Sequence, residues 1–239
     1  MNRALLLVLL AALAHAPAWA QTRAGLTAPT NADILDSELA KGKGAAARSA
    51  TTGSPFLFTH WTSGRLVGTS LGPRRALLKY DLAQNRLLVR RPTGDSVEVM
   101  MAQVKEFTLG DSARGEQFTF RLYPDIKADK PALRATFWDV RYDAGRTALL
   151  RHRTRAVFQH GNSPSLAGTK GSAWHDMNAY YIKHSDNTLT PVRLTSRSVL
   201  EALGKTHAAA LQAFIEQQRL KLNAEADVAK LLAYYDSLP

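Results

Sequence analysis

The stretch Ala76 to Leu109, ALLKYDLAQNRLLVRRPTGDSVEVMMAQVKEFTL, constrains the fold of this chain more than any other. Leu78, Tyr80 and Leu82 alternate with Lys79 and Asp81. Leu87 and Val89 alternate with Arg86 and Arg90, and Val97 and Val99 with Ser96 and Glu98. A period of two sends successive side chains to opposite faces, so each run reads as a strand with one apolar and one charged side. The runs are broken at Ala83-Gln84-Asn85 and at Pro92-Thr93-Gly94-Asp95. Pro92 fixes its own φ and Gly94 accepts a positive one, which gives the second break a physical reason to turn. The stretch therefore predicts an antiparallel meander: one strand ending near Leu82, a second over Arg86–Arg91 and a third over Ser96–Met101, with one face wet.

The same alternation extends on both sides. Strands are expected near Phe56–Trp61 and Arg65–Ser70, joined at Ser63-Gly64. Ala102–Glu106 reads as a turn or short helical bridge, followed by strands at Lys105–Leu109 and Gln117–Leu122 around the turn Ala113-Arg114-Gly115. Pro124–Pro131 is a polar loop. Leu133–Tyr142 and Thr147–Phe158 form a long hairpin around Ala144-Gly145, and Gly161–Gly171 is a loop rich in Gly, Ser and Pro. A last hairpin joins Ala179–Lys183 to Leu189–Leu194 through Ser185-Asp186-Asn187. The period then changes. Ser198 with Glu201 three residues on reads as a capping box, and Gly204 as a helix stop. Leu211, Phe214, Ile215 and Leu222 predict a helix over Thr206–Leu222, and Val228, Leu231, Leu232 and Tyr235 a final one. Apolar helix stripes need a surface to bury against, and the sheet supplies it. The expected class is α+β: a curved antiparallel β-sheet or partly open barrel, with two to three C-terminal helices packed on it.

Residues 1–20 read as a signal peptide, with Arg3 ahead of an apolar run over Ala4–Ala14 and a small-x-small site at Ala18-Trp19-Ala20. The run is about half the roughly 20 residues that a spanning helix needs. Residues 21–52 are expected to be a linker with a short helix from Asn31 to Leu39. Its Lys41-Gly-Lys-Gly lacks the spacing of a phosphate loop. Residues 53–195 form the β-rich domain, and the helices of 196–239 belong to the same globular unit. The expected location is periplasmic or extracellular, with no transmembrane segment in the mature chain. Cysteine is absent, which excludes disulfides, cysteine-held metals and lipid attachment at a cysteine.

The chain carries a formal charge of +11. Most of it falls within 65–155, where fourteen arginines and four lysines face ten acids. The pairs Arg74/Arg75 and Arg90/Arg91 and the alternating Arg151, Arg153 and Arg155 are the candidate anion-binding residues, because guanidinium forks match phosphate and carboxylate. A solvated strand face is the plainer reading of the same charge. Nucleic acid is not expected as a partner: Tyr80, Phe107, Phe118 and Phe120 sit at core parity rather than as stacking platforms. His160, His175 and Asp176 are the one grouping that suits a base or a hydrolytic site, though the histidine spacing fits no metal motif. His152 has the opposite parity to its arginine neighbours and reads as structural. Tyr180, Tyr181, Tyr234 and Tyr235 read as seam packing or as the lining of a groove between sheet and helices. No nucleophile motif, cofactor or metal is expected.

The order of signals also resembles a group of exported β-rich proteins of Gram-negative bacteria with a C-terminal helical tail. The resemblance rests on Gly53-Ser-Pro-Phe-Leu57, Leu78-Lys-Tyr80-Asp-Leu82, Gly94-Asp95, Val104-Lys-Glu-Phe107, Tyr180-Tyr181-Ile182 and Tyr234-Tyr235-Asp-Ser-Leu238, and it covers Gly53 to Leu238. It implies a fold and an exported location, and no activity. The sequence thus leads to a non-enzymatic envelope protein that binds an anionic component, polysaccharide or lipid headgroup, through an arginine-rich sheet face. The alternatives are a periplasmic or secreted hydrolase with a site near His160, His175 and Asp176, or a structural subunit assembling through a sheet edge.

Overall fold

A computed structural model describes residues 51–70, 72–111, 115–159 and 172–239. The expected signal peptide, most of the linker with its short helix, His160 and the loop 161–171 lie outside the described residues. The strands run β1 Thr62–Gly68, β2 Arg74–Asp81, β3 Arg86–Arg90, β4 Ser96–Val99, β5 Val104–Asp111, β6 Glu116–Arg121, β7 Trp138–Tyr142, β8 Ala148–Gln159, β9 Ser172–Lys183 and β10 Leu189–Val192. They form one ten-stranded sheet in the order β10-β9-β8-β7-β6-β5-β1-β2-β3-β4. Every neighbouring pair is antiparallel. The first strand lies in the interior. One meander runs from it to the edge at β4. The chain then returns through a 3₁₀ turn, Met101–Gln103, to β5 on the other side of β1, and a second meander runs out to β10.

Strands β1 to β6 curl strongly. Tyr80 on β2 and Phe120 on β6 are three strand spacings apart, about 14 Å on a flat sheet, yet their ring centroids lie 4.8 Å apart. Phe107 stacks on Phe120 at 5.0 Å and meets Tyr80 at 5.1 Å. Leu57, Phe58, Leu78, Leu82, Leu87, Leu109 and Phe137 complete this inner core. The Tyr80 hydroxyl donates to Asn85 Oδ1 at 2.6 Å, and Asn85 holds the β2–β3 turn at φ +53. The sheet does not close.

Three helices cover the β7–β10 half of the inner face: α2 Ser196–Leu203, α3 Ala208–Gln218 and α4 Glu225–Ser237, after a short α1 at Pro131–Arg134. Leu211, Val228, Leu231 and Leu232 bury fully against Leu149, Ile182 and Val192. Asp236, near the end of α4, accepts from Thr147 N at 3.1 Å, Thr147 Oγ1 at 3.0 Å and the Tyr142 hydroxyl at 2.9 Å, fastening the tail to the β7–β8 hairpin. On the outer face Trp138, Ala148 and Leu150 pack beneath Ile126, Ala128 and Leu133. Among the described residues no helix is long and apolar enough to cross a membrane.

The structure corrects several local expectations. Phe56–Trp61 is an irregular segment with one bridge, Phe56 to Asp81, because it covers the inner core rather than joining the sheet. Ser63-Gly64 is no turn but lies within β1, where the absent side chain lets two backbones meet. Leu133–Tyr142 divides into α1 and β7, since Pro131 starts a helical turn at its N1 position. β9 begins at Ser172 rather than Ala179. The cap of α2 is Thr195, whose hydroxyl accepts from Ser198 N at 3.3 Å; Ser198 Oγ instead accepts from Arg193 N. Gly204 ends that helix, as expected, at φ +82.

A Cβ at position 64 would press into the Thr108 carbonyl oxygen and lie 2.7 Å from Leu78 Cδ1. Gly64→Ala is therefore expected to lower unfolding free energy by about 2–3 kcal/mol, as overpacking does. Urea midpoints of the two proteins check this.

Candidate anion-binding site

The seven candidate arginines divide by face and by partner. Arg151, Arg153 and Arg155 alternate on β8 and share the inner face, which is covered rather than open. Arg151 lies opposite Asp139, whose carboxylate is fully buried, and donates to it from Nε at 2.8 Å and Nη2 at 2.5 Å. Arg151 Nη1 reaches Glu225 of α4 at 2.7 Å, and the Tyr180 hydroxyl donates to the same Glu225 oxygen at 2.6 Å. Arg141 completes the cluster with a 2.6 Å ion pair to Glu225. Burial opposes the Arg151 charge, but the carboxylates of Asp139 and Glu225 outweigh it and raise its pKa.

Arg155 pairs with Asp176 directly across the strand pair and donates to the carbonyls of Ser54 and Phe56, pinning the segment before β1 onto the sheet. The Asp176 carboxyl is opposed by burial but held below its ordinary value by the Arg155 hydrogen bond and the nearby guanidinium charges. Arg153 lies between the other two with its guanidinium 4.8 Å from the Phe118 ring centroid. Its carboxylate neighbours, Asp139 and Asp176, are 3.7 and 3.9 Å away, and its buried Nε and Nη1 make no hydrogen bond. Burial and the Arg151 charge push its pKa down, yet a guanidinium stays protonated at any physiological pH.

The other arginines stand apart. Arg75 and Arg90 lie on the outer face, joined by Arg65, which the sequence did not single out. Arg65 is directly opposite Arg75, and Leu77, two residues along from Arg75, is directly opposite Arg90. All three arginines are exposed and, among the described residues, none has an acidic partner. Leu77 is 44% exposed between Arg75 and Arg90. Arg74 points to the inner side at the open end of β2, exposed and opposite Leu66. Arg91 pairs with Asp95 across the β3–β4 turn. A shallow cleft of about 620 Å³ runs beside Arg75, Leu77, Arg90 and Pro92.

His175 and Asp176 occupy consecutive positions on β9 and so face opposite sides. His175 lies on the outer face with its ring 5.5 Å from Phe158, while Asp176 joins the inner arginines. Among the described residues no three His, Cys, Asp or Glu side chains converge as a metal site requires. The tyrosines do not share a groove. Tyr180 bonds Glu225, Tyr181 packs on Trp138 at 5.2 Å on the other face, Tyr234 stacks on Phe214 and Tyr235 meets His207. A larger cleft, about 820 Å³, opens between residues 124–134 and β9–β10. It has Leu133, Tyr181 and Leu189 among its walls, and no histidine or serine.

No family model matches this chain, and neither a curated protein nor a solved structure does.

Two expectations follow from the buried groups. Removing the Asp139 carboxylate leaves Arg151 buried without its main partner, so Asp139→Ala is expected to cost about 3–5 kcal/mol of stability in chemical denaturation. His152 lies against Trp138 at 5.5 Å, and burial holds its pKa below the ordinary 6.5. The unfolded chain then binds the proton more readily, so this contribution is present above pH 6.5 and is lost as pH falls from there through the lower pKa of the folded state. Unfolding free energies measured from pH 8 to 5 should decline less in His152→Phe than in the parent protein.

Proposed function

We propose that this chain is a binding protein of the cell envelope that attaches to an anionic component through the outer-face arginines Arg65, Arg75 and Arg90. One observation carries the reading. Arg86, Arg121, Arg151 and Arg155 each have an acid directly opposite on the neighbouring strand, Asp81, Glu106, Asp139 and Asp176 respectively. Arg65 instead has Arg75 opposite it. Like charges placed directly across a strand pair are destabilising. An exposed run of unneutralised guanidinium groups is the feature that a negatively charged partner would complete. The export expected from residues 1–20 places such a partner outside the cytoplasm, among anionic lipids and acidic polysaccharides. A hydrolytic centre has no comparable support, since His175 and Asp176 face opposite sides.

The test is co-sedimentation of the mature chain with anionic vesicles and acidic polysaccharide across a salt series. Binding should weaken steeply as salt rises, because contacts between exposed charges are screened. It should be lost in Arg65→Ser/Arg75→Ser/Arg90→Ser and kept in Arg74→Ser. Equal binding by the triple variant would remove this surface from the function.

A further inference from the structure

We infer that the Arg65–Arg75–Arg90 surface selects a phosphate monoester over a carboxylate. This inference rests on the binding role proposed above and names the chemistry of its ligand. Register fixes the geometry. Arg65 and Arg75 face each other across β1 and β2, which places their Cβ atoms about 5 Å apart. Arg90 is directly opposite Leu77, so it lies diagonally from Arg75, at about 7 Å. All three point outward from the same face, and no acid pairs with any of them among the described residues. Arg65 and Arg90 are two strands apart, roughly 10 Å or more, so extended side chains from both can reach one anion held over Arg75.

The choice of anion follows from charge and valence. A carboxylate offers two oxygens and one negative charge. It occupies one guanidinium fork and leaves two cations repelling each other. A phosphate monoester carries about −1.5 to −2 and three acceptor oxygens, which serve three forks and nearly cancel the local charge. Leu77, between Arg75 and Arg90 and 44% exposed, adds an apolar contact beside the anion. A headgroup at a bilayer surface can use that contact and a free ion cannot.

The experiment uses the mature chain and phosphatidylcholine vesicles doped either with phosphatidic acid or with oleate, matched in surface potential. Binding is expected to be about tenfold or more tighter to the phosphatidic acid vesicles. The decisive variant is Arg65→Lys/Arg75→Lys/Arg90→Lys, which keeps every charge and loses the forks. It should lose the preference for the monoester while still binding both vesicles weakly, with a thermal unfolding curve like that of the parent. Equal binding of the two vesicle types by the parent protein, or an undiminished preference in the lysine variant, would overturn the inference and leave the general anionic reading standing. Binding to neither vesicle type nor to acidic polysaccharide at any salt would overturn both. A competition arm with inorganic phosphate separates the two sources. Displacement at micromolar phosphate assigns the site to a soluble phosphate, and resistance up to millimolar phosphate assigns it to the headgroup.

Discussion

The buried carboxylate of Asp139 joins the two halves of this molecule. It lies where the aromatic core of the curled strands ends and the helical core begins, with no contact to water. A charge in that position is tolerable only when it is fully partnered. Arg151 supplies two hydrogen bonds and turns its third nitrogen, Nη1, to Glu225, the first residue of α4. Glu225 also takes the Tyr180 hydroxyl and pairs with Arg141. The start of the last helix is thereby tied to β7, β8 and β9 through one carboxylate. Its end is tied to the β7–β8 hairpin through Asp236. Hydrophobic burial supplies most of the attraction between helices and sheet, and these two anchors set the orientation.

Arginine serves two purposes in this sheet, and register separates them. Where an acid stands opposite, the guanidinium bridges neighbouring strands, as Arg121 does with Glu106 at 2.6 Å and Arg151 with Asp139 at 2.5 Å. At Arg65, Arg75 and Arg90 the residue opposite is an arginine or a leucine, and on the outer face these charges have no acidic partner among the described residues. A count of positive charge cannot distinguish these cases, because both add to the same basic total. The alternating set on β8, one of the three candidate groups in the sequence, is instead turned to the covered face, where Arg151 and Arg155 are paired with acids.

What was legible in the sequence was whatever depends on near neighbours. The Leu78-Tyr80 and Leu87-Val89 alternation, the Gly94 turn, the Gly204 stop and the stripe of α4 are local patterns, and they appear where those patterns place them, whereas α3 ends at Gln218, with Arg219 at φ +51, and leaves Leu222 beyond the helix. What failed depended on distant partners. Gly64 reads as a turn residue until Thr108 is known to lie against it. Phe56–Trp61 has the composition of a strand, but its apolar side chains are used as a cover. Arg65 was passed over because its isolation follows from pairing with β2, and alternation fixes faces without fixing neighbours. Asp139 and Glu225 carried no signal either, since nothing in the order of residues says that positions 139, 151 and 225 meet.

The interior position of β1 has a consequence for the newly made chain. The β1–β4 meander comes first in the sequence and can pair as soon as it emerges, but one side of β1 then stays open until β5 arrives. For that interval the nascent chain carries a bare strand edge next to Leu66, Leu78 and Tyr80, which later lie inside the curl. The only stretch between the two states is Met100–Gln103, too short to let β5 wander. The tight link thus acts kinetically as well as geometrically: it shortens the time during which this edge can meet another chain before meeting its own.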